Sequence, residues 1–534
     1  MSKSNQKIES NMIDKALEYI APTIAFKRRT ARVALAMTGG YQGASITRAA
    51  LSNWKTTAGS SEADISPDLP PLRERSRDLS RNSPVASGAL GQTTTNVIGT
   101  GLSLEPKPNT NILKLTDEQA AEWAAYTKFE WALFASSKDC DITRRLNFYQ
   151  LQDLIFRSRW ESGDVFVLTP NKPRGNVYNL ALQVIEADRV SNPNRQVNNK
   201  TLVDGIKLDE YGAPISCYIS DRHPGDIRYK PTKWDEYAFF GKDNRRNVLH
   251  LYRILRPGQV RGVPEVAAII EQLKQLGTYT NAELQAAVTS GMFSVFVKMD
   301  PDAFGDLFDK DAQKTYVEDA GKWDGSLDNG GRAVNILPGE SIESANPGRP
   351  NSEFDPFVQS ILRQIGMALE IPYEVLIMHF QSSYSAARAA LLSAWRTYRR
   401  WRDWTATEFC QPVYELWLAE AVANGRINAP GFFADPLVRA AWCGAQWIGD
   451  GPGSIDPSKE VDAAQKRVDM TISTLEAESI LHDGVDWESK FRQRSKEQKM
   501  LNEAGLNINK QTNQTSQTDN PVDGQDTVDS PLND

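Results

Sequence analysis

Arginine and large aromatic residues interleave through the stretch from Tyr384 to Trp404. Arg388, Arg396, Arg399, Arg400 and Arg402 sit among Leu391, Trp395 and Tyr398, which recur at helical spacing. A guanidinium pairs with a carboxylate or a phosphate, and an aromatic face stacks on a base or on another cation. The row therefore allows two chemistries. One is ion pairing with acidic partners, of which the chain carries 68. The other is direct binding of nucleic acid by a single Arg/aromatic helix, as in a monomeric nucleic-acid-binding protein. The helical pattern runs on through Phe409, Val413, Leu416 and Trp417 to Gly425, with Pro412 as the expected kink. A helix of about 40 residues spans roughly 60 Å, which suits a part that crosses a large assembly.

The rest of the chain is poor in reactive constellations. It contains no GxxxxGK[ST] phosphate loop, no GxSxG elbow and no HExxH pair. His223, His250, His379 and His482 are isolated, and Cys140, Cys217, Cys410 and Cys443 lie far apart without a CxxC. Such cysteines suit a reducing compartment better than a disulfide framework. Acidic pairs such as Asp139/Asp141 and Asp300/Asp302 read as surface turns, although a cytosolic enzyme with an acidic metal site is the competing reading. No cofactor, no metal and no catalytic residue is expected. The net charge is −7, so the chain as a whole does not neutralise phosphate. Its basic clusters, Lys27, Arg28, Arg29 and Arg32 and then Arg73, Arg75, Arg77 and Arg81, read as solvated or inter-subunit faces. No apolar run reaches about 18 residues, so no membrane span is expected. The polar first 18 residues lack a signal-peptide core, which points to the cytoplasm.

The elements that must position the arginine row are legible from periodicity and caps. Helices are expected around 12–37, after Ser83-Pro84, over 117–135 and over 147–160. The small residues Ala86, Gly88, Ala89 and Gly91 suggest a helix packed close to another backbone, stopped at Gly99-Thr-Gly101. Residues 58–72, rich in Ser, Asp and Pro, read as a loop. Short strands follow at Val165–Leu168, Leu182–Ile185, Gly205–Leu208 and Ile215–Tyr218, with a hairpin turn at Asp209–Gly212. An amphipathic helix from Gly262 to Gly291 leads into a strand at Phe293–Val297, an acidic, Gly-rich stretch and a strand at Val334–Leu337. A second helix over 352–369 ends at Ile371-Pro372, and Tyr373–Ser383 reads as a loop before the arginine helix. Asp456-Pro457 caps a helix to about Leu475, a charged helix covers 487–503, and 506–534 reads as a disordered acidic tail. The class is α+β, mainly helical.

This order of elements resembles the portal proteins of tailed bacteriophages, and most closely the lambda-like portal family. The resemblance rests on Arg77–Ala86 with Val97–Gly101, Gln183–Arg189, Arg261–Pro264, Leu337–Glu340, Ile371–Tyr373, Ser383–Leu392 and Asp456–Glu460, in order over about 77–505. One departure is Met378-His-Phe-Gln381, which stands where a Gly- or Asp-containing loop is usual. The resemblance implies a portal-type subunit with wing, stem, clip and crown. Its parts would be an N-terminal arm at 1–19, a wing at 20–263, stem helices at 264–292 and 351–370, and a clip at 293–350. A tunnel loop at 371–385, the long helix and wing return at 386–455, a crown at 456–505 and the tail at 506–534 would complete it. It implies a dodecameric homo-oligomeric ring at one capsid vertex of the virion, assembled in the host cytoplasm. The ring would pass double-stranded DNA during packaging and ejection. It would dock the terminase large subunit, head-completion and connector proteins, and the major capsid and scaffold proteins. His379, Gln381, Ser382, Ser383 and Tyr384 would lie near DNA, the serines otherwise capping the next helix. Asp300, Asp302, Asp306, Asp309 and Glu318 would face the motor. Under this resemblance the arginine row faces either DNA or, the reading favoured here, a neighbouring subunit.

Overall fold

The computed structural model describes residues 19–27, 30, 44, 50, 51, 53, 54, 56, 58–228, 231–291, 295–299, 340–344, 352–380, 383–453 and 456–506. The chain divides into two units, Met1–Ser60 and Ser61–Asp534. In the first, residues 22–27 are helical and Tyr19, Ile20, Ile24 and Phe26 are exposed.

The larger unit opens with α1 (Ser61–Ile65) and α2 (Leu69–Asn82). The expected loop over 58–72 is thus largely helical. Pro70 and Pro71 fall in the first turn of α2, where the missing amides cost no intrahelical bond. The helix α3 (Pro84–Val97) starts as its sequence predicts, with Ser83 Oγ accepting the Ala86 amide at 3.4 Å. Its Ala86 and Ala89 are buried, but a Cβ on Gly88 or Gly91 would meet nothing within 4 Å. The alanines, not the glycines, make the close contact. Then come β1 (Ser103–Pro106), α4 (Thr110–Leu113), α5 (Asp117–Ala135) and α6 (Phe148–Ser162). Capping boxes Thr116/Gln119 and Asn147/Gln150 set the starts of α5 and α6.

Seven strands follow: β2 (Asp164–Leu168), β3 (Gln183–Glu186), β4 (Leu202–Val203), β5 (Ile206–Leu208), β6 (Pro214–Ser220), β7 (Trp234–Ala238) and β8 (Val248–Tyr252). The fully buried β2 is the centre of an antiparallel β3–β2–β8 sheet, and β4 to β7 form a meander. The Asp209–Gly212 turn joins β5 to β6, its Asp209 carboxylate accepting the amides of Tyr211 and Ala213. Next are α7 (Ile270–Gly291), the antiparallel pair β9 (Val295–Met299) and β10 (Glu340–Ser344), and α8 (Phe354–Leu369). The expected strand Val334–Leu337 lies outside the described residues. A short α9 (Tyr373–Leu376) interrupts the expected loop, and α10 (Tyr384–Thr405) follows.

The long helix widens before Pro412 and continues through it, without the expected kink at the proline itself. Residues Ala406–Cys410 form a π turn, in which the Gln411 amide reaches back to the Ala406 carbonyl. Pro412 has no amide to offer, and the wider turn absorbs the mismatch. Beyond it lie α11 (Gln411–Ala423), α12 (Pro436–Trp442), β11 (Ala445–Ile448), which pairs with β1, and α13 (Pro457–Asp469), α14 (Leu475–Asp483) and α15 (Trp487–Glu503). The helix expected to reach Leu475 stops at Asp469, and a new one starts at Leu475 with Thr474 as its cap.

Two large cores result. One packs α5, α6 and α11 around Trp131, which meets Phe148, Tyr414 and Trp417 edge-on at 5.0–5.8 Å. The other joins α3, α7, α8 and α10 through Leu90, Leu273, Ile365 and Tyr398.

The helical layers and the sheet are tied together by one buried carboxylate. Asp164, at the start of β2, is fully buried. Its oxygens accept from Arg73 Nη2 at 2.7 Å, Arg261 Nε at 2.6 Å and the Gly262 amide at 3.3 Å. The His250 Nε2 stands 3.1 Å away, and its ring is stacked between Phe166 and Tyr252 at 4.0 and 4.2 Å. Arg261 spends its remaining donors on the carbonyls of Ala187, Val190 and Asp204. The basic cluster that read as a solvated or inter-subunit face is therefore partly interior. Arg73 is 4% exposed, and Arg77 binds Asp188 and Ser162 Oγ. Burial raises the Asp164 carboxyl, but Arg261 and Arg73 outweigh it and hold the group well below the ordinary carboxylate range. Burial lowers the His250 imidazole despite Asp164.

At the same point two backbones cross. A Cβ on Gly262 would stand 2.0 Å from the Gly163 carbonyl oxygen, and Gly163 itself has φ +88°. Replacing Gly262 by Ala should destabilise the fold by about 3 kcal/mol or more, the upper range of overpacking. Gly88→Ala, in open space within α3, should be neutral or stabilising by up to about 1 kcal/mol. Denaturant titration of the two variants checks the contrast, and equal stabilities would refute the crossing.

Stability should also depend on pH. Both Asp164 and His250 bind protons less readily folded than unfolded, so stability rises with pH and is lost on acidification. The His250 contribution is complete above the ordinary value of 6.5 and fades below it, and the Asp164 contribution fades only below 3.8. The melting temperature should therefore fall between about pH 7 and about pH 5, and His250→Gln should flatten that fall. An unchanged slope in the variant would remove His250 from this role.

Candidate functional site

The five arginines of α10 separate by partner. Arg402 is half-buried, and its Nε and Nη2 donate to the Val97 and Asn96 carbonyls at 3.1 Å each. It closes the C-terminal end of α3 and lies 4.9 Å over the Trp395 ring. Burial lowers its basicity. Arg400 pairs with Glu370 at 2.6 Å, and Arg388 approaches Glu460 of α13 at 3.9 Å. Arg396 and Arg399 are exposed and form no ion pair among the described residues.

The aromatics between them are structural. Tyr398 and Trp401 are buried in the second core. Trp401 also covers Arg159, whose guanidinium stands 4.0 Å from that ring and 5.1 Å from Trp404. Arg159 is 1% exposed and pairs with Glu265. Burial outweighs that pair and lowers its pKa to about 10. Nothing in the local sequence marks Arg159, since its partner lies more than a hundred positions away.

A second junction was equally hidden. Glu130 of α5 accepts Arg426 Nε and Nη2 at 2.8 Å each and Tyr178 Oη at 2.6 Å. Glu420 of α11 accepts the amides of Asn179 and Leu180 at 2.5 and 2.9 Å. These bonds anchor the C-terminal end of the long helix to the body.

The segment before α10 starts where α8 ends at Glu370, in the left-handed region at φ 58°. The Ile371 amide bonds back to the Gly366 carbonyl at 2.8 Å, and a Cβ on Gly366 would stand 2.6 Å from the Ile371 oxygen. His379 is exposed, with its amide on the Glu374 carbonyl at 3.0 Å, and Phe380 is exposed beside it. Gln381 and Ser382 lie outside the described residues. Ser383 occupies the cap position of α10, but its hydroxyl makes no cap bond; Tyr384 is the first residue of the helix.

The helices α7 and α8 run antiparallel. Tyr279, midway along α7, meets Phe354 and Phe357 at the start of α8, at 5.6 and 4.9 Å. Leu273 and Leu276, earlier in α7, share the second core with Leu362 and Ile365, later in α8. The paired strands β9 and β10 therefore leave and re-enter the body at one end of this helix pair. Asp300, Asp302, Asp306, Asp309 and Glu318 lie between those strands in the chain and outside the described residues. At the other end of the chain, α13, α14 and α15 bury no side chain, and Arg467 grips Glu478 bidentately at 2.8 and 2.6 Å.

Among the described residues no group of three or more His, Cys, Asp or Glu side chains could hold a metal ion, and no helix is long and apolar enough to cross a membrane. All four cysteines are free and buried.

The chain is similar to known proteins along most of its length. It is 26% identical over 476 residues to portal protein B of Escherichia phage lambda, covering 85% of this chain and 88% of that protein. It is 25% identical over 487 residues to the portal protein of Escherichia phage N15, covering 86% and 89%. Among solved structures, a chain from the virion of a native gene transfer agent particle overlaps it with a TM-score of 0.42 at 11% identity, covering 76% of this chain and 89% of that one. A chain from the neck of the native particle, computed with C12 symmetry, gives 0.40 at 12% identity, covering 76% and 92%. Residues 47–402 match the phage portal protein, lambda family. That match takes in the Asp164 junction, both helices α7 and α8, and the arginine helix as far as Arg402, and the chain belongs to the lambda family of phage portal proteins.

Proposed function

We propose that this portal protein forms a dodecameric ring at one capsid vertex, through which double-stranded DNA is packaged and later ejected. The observation that carries the architecture is the antiparallel α7/α8 pair ending in the β9–β10 strands, inside the family match. In this reading α7 and α8 are the stem, 293–350 the clip, 371–385 the tunnel loop and 456–505 the crown. Residues 20–263 and 386–455 form the wing. The clip docks the terminase large subunit during packaging and the head-completion proteins afterwards. The capsid and scaffold proteins surround the ring as it assembles in the host cytoplasm. The portal is a structural part, and the hydrolysis that drives DNA belongs to the terminase. A net charge of −7 suits a conduit, because many tight phosphate contacts would hold the polyanion in place.

The rival reading, a monomeric protein that binds nucleic acid along α10, is weakened by the fate of that helix. Arg388, Arg400 and Arg402 have partners within the chain, and Tyr398 and Trp401 are buried. Few aromatic faces remain for bases to stack on.

Negative-stain imaging and mass measurement of the purified chain should show closed rings with a central hole. Only monomer at micromolar concentration, with scaffold and capsid partners present, would contradict the proposal. In the ring, deleting His379–Ser382 should leave assembly intact and reduce the DNA length held per capsid. A full genome in such capsids would leave the segment no role in the channel.

Within the clip, replacing Asp300, Asp302, Asp306 and Asp309 together by Asn should preserve rings and weaken terminase binding. Undiminished terminase binding would move the docking surface elsewhere.

A further inference from the structure

Two helices of this chain present exposed stripes that complement each other. On α10, Leu392, Arg396 and Arg399 follow at i, i+4 and i+7, so they share one face. Leu392 is 53% exposed, and both arginines are exposed without an ion pair among the described residues. On α5, Glu118, Glu122, Tyr126, Phe129 and Leu133 share another face. The two glutamates are exposed, and Tyr126, Phe129 and Leu133 are 48%, 60% and 40% exposed. Both stripes are open to solvent in the same chain, so they do not cover each other there.

We propose that the α10 stripe of one copy packs antiparallel against the α5 stripe of the neighbouring copy. The inference rests on the ring reading above and names the surface that closes it. Antiparallel alignment sets Arg399 and Arg396 against Glu118 and Glu122, and Leu392 against Tyr126 and Phe129. At 1.5 Å per residue, the offset from the charged to the apolar part is roughly 8 Å on α10 and roughly 11 Å on α5. The two agree to within one helical turn. Asp403, a further turn along α10 and exposed, falls toward the exposed Lys114 that precedes α5. The contact joins two different surfaces, which is the kind of interface that generates a ring when its rotation closes. The apolar residues exclude water beside the ion pairs, and the ion pairs set the register.

The test is a charge swap in the full-length chain. Arg396→Glu with Arg399→Glu, or Glu118→Arg with Glu122→Arg, should each lower the ring fraction by at least about tenfold through like-charge contact. All four substitutions together should restore it. Far-UV circular dichroism of each variant should match the parent, because every altered side chain is exposed. A cysteine pair, Glu122→Cys with Arg396→Cys, should give a ladder of crosslinked subunits on oxidation, against a background of buried native thiols. Rings that persist in both charge-reversed variants would overturn the helix pairing while leaving the ring itself. Rings that persist while DNA retention is lost would overturn it too, and assign Arg396 and Arg399 to the channel instead. A parent chain that never forms rings would overturn the ring reading and this surface with it.

Discussion

The buried Asp164 carboxylate is the point on which the body of this protein turns. A lone carboxylate in the interior would be strongly destabilised, and two arginines, an imidazole and an amide are needed to hold it there. Those groups come from α2, from β8 and from the Arg261-Gly262 segment that follows it. Arg261 uses its fork in full, reaching Asp164 and the three carbonyls of Ala187, Val190 and Asp204. A lysine has neither the donors nor the planar geometry for that task. The junction therefore fixes where the chain leaves the sheet at Gly262, and so the direction in which α7 sets out.

Much of this was visible in the sequence, but in pieces. The segments Arg77–Ala86, Gln183–Arg189 and Arg261–Pro264 carry the family resemblance, and in the fold they meet at the junction. Helices with strong caps, such as α5 and α15, are legible to within a residue because their end signals are local. Pairings between distant residues leave no such trace. Asp164 and His250 lie 86 positions apart, and neither spacing nor composition links them. Arg73 reads as surface because a cluster of arginines usually is. Its burial follows only from a partner that the linear pattern does not show.

The arginine helix was legible as an element and not as a set of contacts. Of the periodic row Leu391, Trp395 and Tyr398, only Tyr398 is buried, together with Trp401; Trp395 is half-buried and Leu391 is exposed. The periodicity does not reveal that Arg402 serves the end of α3, or that Arg400 serves the end of α8. Both are carbonyl-rich helix ends where a cation is favoured by the dipole. The same helix thus organises two of its neighbours while leaving Arg396 and Arg399 turned outward.

The π turn at Ala406–Cys410 acts as a phase shifter. Ahead of it, the buried positions Ala394, Tyr398, Trp401 and Thr405 follow α-helical intervals. Continued without a break, that line would pass through 408 or 409, then 412 and 416. Pro412 and Leu416 are buried, but the hydrophobic positions sealed completely from solvent are shifted by one, to Phe409, Val413, Trp417 and Ala421 and, beside them, Cys410, Tyr414 and Leu418. One additional residue in the turn rotates everything after it by about 100°, a single step of the α-helix. The side of a single continuous rod that Ala394, Tyr398 and Trp401 turn to the core around α7 and α8 is thereby the side that Phe409, Val413 and Trp417 turn to the core around Trp131.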